Sequence, residues 1–150
     1  MSGLDSLYQS IILEHSKARH GSPLAGHPAS PGLPTASSHQ LNPVCGDEIT
    51  VRVELDGEQI KSVRWDGAGC AISMASASVL SDLFEGIDRA EAKELIEEFR
   101  AVMRSRGQIT PDEEVLGEAA AFVGVARYAA RVKCAMLSWV ATEDALLQLS

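Results

Sequence analysis

The segment ITVRVEL, residues 49 to 55, alternates without a break: Ile49, Val51, Val53 and Leu55 fall on one side, Thr50, Arg52 and Glu54 on the other. Side chains that repeat every two residues keep such a set together only in an extended chain, so this stretch is a strand with one dry face. Asp56-Gly57 follows as a hairpin signal, and EQIKSVRW is the returning strand. The returning run changes phase between Ile60 and Val63, which predicts a bulge at that point.

What surrounds the hairpin reads differently. Residues 4 to 15, LDSLYQSIILEH, place Leu4, Leu7, Tyr8, Ile11 and Ile12 on one helical stripe. From Gly21 to Pro34 prolines and glycines break any periodicity, so about residues 20–38 form an irregular connector. After Cys70 the pattern Ile72, Ala75, Val79, Leu80, Leu83 is helical until Gly86. Asp88 then offers an N-cap to a helix through about Arg104 that buries Ala92, Leu95, Ile96, Phe99 and Met103. Pro111 and the acidic run Asp112 to Glu114 suit another helix start. The last stretch, from about Ala126 to Leu149, reads as one long helix. Strands first and helices afterwards make an α+β layer architecture.

A chain of 150 residues is the size of one domain, 1–150, able to bury about 70% of its unfolded surface. Lys and Arg number 13 against 21 Asp and Glu, a net charge of -8 that disfavours nucleic-acid backbones and favours a basic partner surface. The apolar run Ile11-Ile12-Leu13 is too short for a signal peptide or a membrane span, which places the chain in the cytoplasm. There, three cysteines speak for metal binding or thiol chemistry rather than a disulfide framework; burial as inert core residues is the alternative for each.

Three short motifs carry those cysteines. In NPVCGD, residues 42 to 47, Pro43 and Gly46 bend the chain so that Cys45 and Asp47 can turn the same way. Thiolate and carboxylate are both zinc ligands; alternatively Asp47 caps its own backbone. In GAGC, residues 67 to 70, a glycine-rich turn delivers Cys70 to a helix start, where backbone N–H groups favour a thiolate. In ARVKCAMLSW, Cys134 shares a helical face with Arg127, Arg131 and Ser138 at spacings of 4, 3 and 4. The arginines favour an ionised thiol, Arg131 can pair with Asp47, or both are a solvated stripe. The intervals of 25 and 64 residues between the cysteines match no local zinc finger or ribbon, so a shared site requires the fold to assemble it. His15, His20, His27 and His39 have no ligand spacing to a cysteine and are expected at the surface or near helix ends.

With LYQSIILEH near the N-terminus, the ordered succession NPVCGD, GAGCAISMASAS and ARVKCAMLSW resembles the SufU branch of the IscU-like (NifU N-terminal) iron–sulfur assembly proteins, over nearly the whole chain. The resemblance implies an IscU-like fold, a small antiparallel sheet of about three strands packed on several helices with a long C-terminal helix. It implies zinc held by Cys45, Asp47, Cys70 and Cys134, an S3O shell of net charge near -2 that Arg131 helps offset. Scaffold-type relatives typically carry a histidine just before the third cysteine; here that residue is Lys133. The long interval before Cys134, with an inserted helical stretch around residues 88–112, also fits the sulfur carriers. The implied activity is that of a sulfurtransferase: on docking of a pyridoxal-phosphate cysteine desulfurase, Cys45 leaves zinc, attacks the partner's persulfide and carries the sulfur to the downstream iron–sulfur machinery. Two alternatives stand beside it, a scaffold whose cysteines ligate an iron–sulfur cluster and a structural zinc protein without turnover.

Overall fold

In the computed structural model, which describes residues 3–150, the strongly alternating segment is the middle of a three-stranded antiparallel sheet. Strand β1 (Thr35–Asn42) pairs with β2 (Asp47–Asp56), and β2 with β3 (Gln59–Ala68). Ile49, Val51, Val53 and Leu55 all face the core, none more than 2% exposed. The turn is the two-residue loop Gly57–Glu58, with Gly57 at φ 64 and Glu58 not in the left-handed region, the pattern of a II′ hairpin. The predicted bulge is present. Glu54 pairs with Ser62 but Leu55 with Ile60, so Lys61 is the extra residue and Ile60, Val63 and Trp65 all point inward.

Helix α1 (Gly3–Ala18) precedes the sheet; the side chains of residues 3 and 4, and with them Leu4 of the expected stripe, lie outside the described residues. The connector expected to reach about residue 38 ends at Pro34, because Thr35–Asn42 is strand. It does not hang free. Trp65 donates its backbone N–H to Gly21 O (3.0 Å) and its indole N–H to His20 O (2.6 Å), and Leu55 N donates to Pro34 O (2.9 Å). Ser30 N donates to Glu54 Oε1 (3.0 Å), so Glu54, on the polar side of its strand, is nevertheless buried.

Helix α2 (Ala71–Phe84) packs on β3 and against α1 and α5 (Ala129–Gln148), while α5 covers β1 and β2. Its sequence, AISMASASVLSDLF, buries four serines, and a buried hydroxyl must find a partner. Ser76 Oγ donates to Ala135 O (2.6 Å) and Ser81 Oγ to Val63 O (2.6 Å), which ties the helix to α5 on one side and to β3 on the other. Asp88 caps α3 (Arg89–Arg104) by accepting Glu91 N–H at 2.8 Å, and the expected stripe is buried with Val102 added. Beyond Pro111, Asp112 caps only a single turn, α4 (Glu113–Leu116), which passes into a 3-10 helix, Gly117–Arg127. The last helix therefore starts at Ala129 rather than near Ala126, because Tyr128 is extended (φ -122, ψ 98). No helix among the described residues is long and apolar enough to cross a membrane.

Candidate metal and sulfur site

The three cysteines, 25 and 64 residues apart, meet at one end of the sheet. Cys45 stands on the four-residue tip of the β1–β2 hairpin. The tip closes by Gly46 N donating to Asn42 O (2.8 Å), and Gly46 takes a left-handed φ of 74 that a side chain would resist. Asp47, the first residue of β2, is only 1% exposed. Cys70 is the N-cap of α2, directly after β3, and Cys134 lies fully buried in the second turn of α5. Of the three thiols, all free, Cys45 is exposed, Cys70 half-buried and Cys134 buried.

Asp47 organises the group. Its Oδ1 accepts Cys70 N–H at 2.9 Å and its Oδ2 accepts the Ser73 hydroxyl at 2.7 Å, so it caps the start of α2 and not its own loop. Cys70 Sγ lies 3.7 Å from Asp47 Oδ2, and Cys134 Sγ 3.6 Å from Cys45 Sγ. Gly69 is required here for space: a Cβ on it would come within 2.4 Å of Asp47 Oδ1. The glycines of GAGC thus serve close approach, since a Cβ on Gly67 would likewise meet Glu48 O at 2.5 Å.

The charges are one-sided. Burial pushes the Asp47 carboxyl up, yet donation from Ser73, Cys134 and Cys70 holds it below the usual carboxylate range. Burial, reinforced by the neighbouring Asp47, Cys70 and Cys45, pushes the Cys134 thiol well above its ordinary value. Among the ion pairs of the described residues none reaches Asp47. Arg131, expected beside it, is exposed, and Arg127 belongs to the 3-10 helix; the shared face read from spacing splits where the helix breaks at Tyr128, leaving only Cys134 and Ser138 inward. Both arginines instead line a groove of about 960 Å3 with Tyr8, Ile12, Cys70 and Val125.

Such a group suits a cation. Ligand atoms of Cys45, Asp47 and Cys134 lie within 4.8 Å of one another, with Cys70 beside the carboxylate but outside this tightest set. Bonds of about 2.0–2.3 Å in a tetrahedral zinc site put neighbouring donors roughly 3.3–3.8 Å apart, the range of the contacts seen. A divalent ion would also offset the cost that burial places on a Cys134 thiolate.

Two features were not read from sequence. Ser73, the hydroxyl that fixes Asp47, had a signal: it is the third residue after the N-cap Cys70, a position that faces back toward the cap. His15, expected at the surface, is buried (6% exposed); its place three and four residues after Ile12 and Ile11 puts it on the apolar stripe of α1. His39 stays at the rim, 3.7 Å from Glu48 Oε1 and half exposed.

Fold and site together define a protein that gathers thiols and a carboxylate around a metal-sized space. Residues 8–135 match the NifU-like N terminal domain. The chain is 34% identical over 146 residues to the iron–sulfur cluster assembly scaffold protein IscU of Streptococcus pyogenes serotype M1, covering 97% of this chain and 86% of that one. It is 35% identical over 144 residues to the zinc-dependent sulfurtransferase SufU of Bacillus subtilis, covering 95% and 90%. A crystal structure from Fervidobacterium islandicum AW-1, named as an iron–sulfur cluster assembly scaffold protein for the SUF system, superposes with a TM-score of 0.76 at 33% identity, covering 94% of this chain and 97% of that one. The chain belongs to the NifU-like N-terminal family of iron–sulfur cluster assembly proteins, and its three-stranded sheet, helices and long C-terminal helix are the fold expected from the sequence.

Proposed function

We propose that this protein is a zinc-dependent sulfur-transfer protein of the cytoplasm, which accepts persulfide sulfur from a pyridoxal-phosphate cysteine desulfurase and hands it to the iron–sulfur assembly machinery. One observation carries the reading: Cys45 alone among the thiols is exposed, at a hairpin tip, while lying 3.6 Å from the buried Cys134. It is the thiol a partner can reach. Cys45, Asp47, Cys70 and Cys134 would hold zinc, which would keep the thiols deprotonated at neutral pH. In the transfer itself the Cys45 thiolate attacks the terminal sulfur of the partner's persulfide. A new S–S bond forms on Cys45, the partner's S–S bond breaks, and the partner cysteine departs as a thiolate with no external oxidant or reductant. Arg127 and Arg131, exposed at the groove beside Cys70, supply positive charge near the approaching anions. Lys133 before Cys134, where scaffold-type relatives typically carry histidine, and the likeness to the sulfurtransferase of Bacillus subtilis support transfer over cluster building.

The second reading, a scaffold whose cysteines ligate an iron–sulfur cluster, is favoured by the likeness to the Streptococcus pyogenes scaffold. Incubating the zinc-loaded protein with a desulfurase and cysteine, then alkylating and measuring mass, separates the two. The transfer reading expects one added sulfur on Cys45, lost in Cys45→Ala while desulfurase stimulation falls with it. Undiminished stimulation by Cys45→Ala, or a stable cluster after anaerobic reconstitution that passes to an apo-acceptor, overturns it.

A further inference from the structure

We infer that His15, His20 and Asp82, with Glu118 beside them, form a second and sulfur-free site for a divalent transition-metal ion of the zinc type. Ligand atoms of the first three lie within 4.8 Å of one another. They come from different elements: His15 from α1, His20 from the chain just after it, Asp82 from α2, and Glu118 from the start of the 3-10 helix. This corner lies well away from the cysteines, because Asp82 is twelve residues beyond Cys70 along α2, about 18 Å at the helical rise.

The arrangement resembles a prepared ligand shell more than a chance ion pair. His15 is buried, and its two ring nitrogens face different groups: Nδ1 lies 2.7 Å from Ser78 Oγ and Nε2 lies 3.2 Å from Glu118 Oε1. Ser78 Oγ also accepts the backbone N–H of His20 at 2.9 Å, so one buried hydroxyl locates both histidines. With Nδ1–H donated to that hydroxyl, Nε2 keeps its lone pair, the usual way a polar neighbour fixes the tautomer of a metal-bound histidine. The 3.2 Å from Nε2 to the Glu118 carboxylate is close to the roughly 3.3 Å between adjacent donors on tetrahedral zinc. His20 Nδ1 is 2.5 Å from Asp82 Oδ2, closer than two ligands of one ion. Binding therefore either parts them or leaves Asp82 as the carboxylate that orients His20.

Access and charge fit as well. The side chains of His20 and Asp82 are 48% and 49% exposed, which opens the corner to an ion, while His15 forms its buried floor. Two neutral imidazoles and two carboxylates would neutralise a divalent cation, whereas three thiolates and a carboxylate at the other site leave net negative charge. Imidazole and carboxylate also suit zinc, cobalt and nickel without thiolate's preference for softer ions. An ion here would tie α1, the connector, α2 and the 3-10 helix together.

The test is metal stoichiometry on the full chain, stripped with a chelator and titrated with zinc and, separately, with cobalt(II). Wild type is expected to bind two equivalents of zinc and the double variant His20→Ala/Asp82→Ala one; both residues are half exposed, so this variant should fold. Cobalt separates the sites by spectrum. The double variant should keep the intense sulfur-to-cobalt charge-transfer absorption, and Cys45→Ser/Cys70→Ser/Cys134→Ser should lose it while retaining the weaker bands of a nitrogen–oxygen shell. A cysteine triple variant that binds no cobalt, or a second equivalent that persists in His20→Ala/Asp82→Ala, overturns the proposal and leaves the corner a hydrogen-bonded staple.

Discussion

Helix α5 carries two neighbourhoods five residues apart that are built on opposite terms. The Trp139 side chain is satisfied on every side. Its ring stacks on Phe99 with centroids 4.0 Å apart, Phe84 meets it edge-on at 5.4 Å, and its indole N–H donates to Ser76 Oγ at 3.0 Å. Around Cys134 a thiol is buried beside a carboxylate and two further thiols. The aromatic layer gains stability from burial and contact; the sulfur end gives some up, since crowding groups that tend to be negative is unfavourable until a cation arrives. A site of that kind holds its shape only if something rigid fixes its members, and Trp139 and Ser76 anchor the same helix one turn below Cys134.

The contrast is broken most severely at its two centres. Cys45→Ala should remove sulfur acceptance completely while leaving thermal stability of the metal-free protein almost unchanged, because Cys45 is exposed and packs against little. Trp139→Ala should do the reverse in origin: a cavity in the aromatic layer costs about 3–5 kcal/mol, read as a fall in the denaturant midpoint. If Trp139→Ala kept its stability, the rigid layer would not be the anchor claimed for it.

Asp47 stands between the two regimes, and its removal should cost less than that of Trp139. Asp47→Ala leaves the Cys70 N–H without its acceptor and the Ser73 hydroxyl with only the longer bond to Cys134 O (3.2 Å), a loss of about 2–3 kcal/mol in the metal-free chain. It should also weaken zinc binding, followed by competition with a chromogenic chelator. Ser73→Ala, which deletes a donor and leaves the carboxylate bound to Cys70 N–H, should cost only about 1 kcal/mol. Equal effects of the two substitutions would mean that the carboxylate matters only through Ser73.

These contrasts follow how much of each region was legible beforehand. Strong alternation marks β2 and the hairpin, an apolar stripe marks α2, and a cap with a stripe marks α3, because in those elements local propensity and burial agree. Strand β1 escaped because its inward residues are small or polar, Ala36 and Ser38, so no apolar alternation marks it. The start of α5 was misplaced because GEAAAFVGVAR is rich in alanine, while its two glycines and the extended Tyr128 favour a tighter 3-10 course. The sulfur site was visible as three motifs but not as geometry: Asp47 as the cap of α2, and Gly69 as the gap that admits it, depend on contacts across 22 and more residues. Arg127 shows the limit of a spacing argument, since a helical face exists only where the helix does.

The smallest expected effect lies where α1 meets α4 at the edge of the groove. The Tyr8 hydroxyl donates to the Glu113 carboxylate, and burial first, then that bond and the carboxylate's charge, push the tyrosine up to about 12 from an ordinary 10.0. A raised value favours the protonated form in the folded state. The stability it contributes is complete below pH 10 and is lost as pH rises from 10 through about 12. Tyrosinate absorption should show a component titrating late that Tyr8→Phe abolishes, and folding stability of Tyr8→Phe should fall less steeply across that window. Glu113→Gln separates the causes: with the charge gone, the late component should move back toward the ordinary value. If it stays where it was, burial alone sets it, α4 is not held to α1 through this bond, and the groove wall beside Cys70 owes its position to the apolar contacts of Ile12 and Val125.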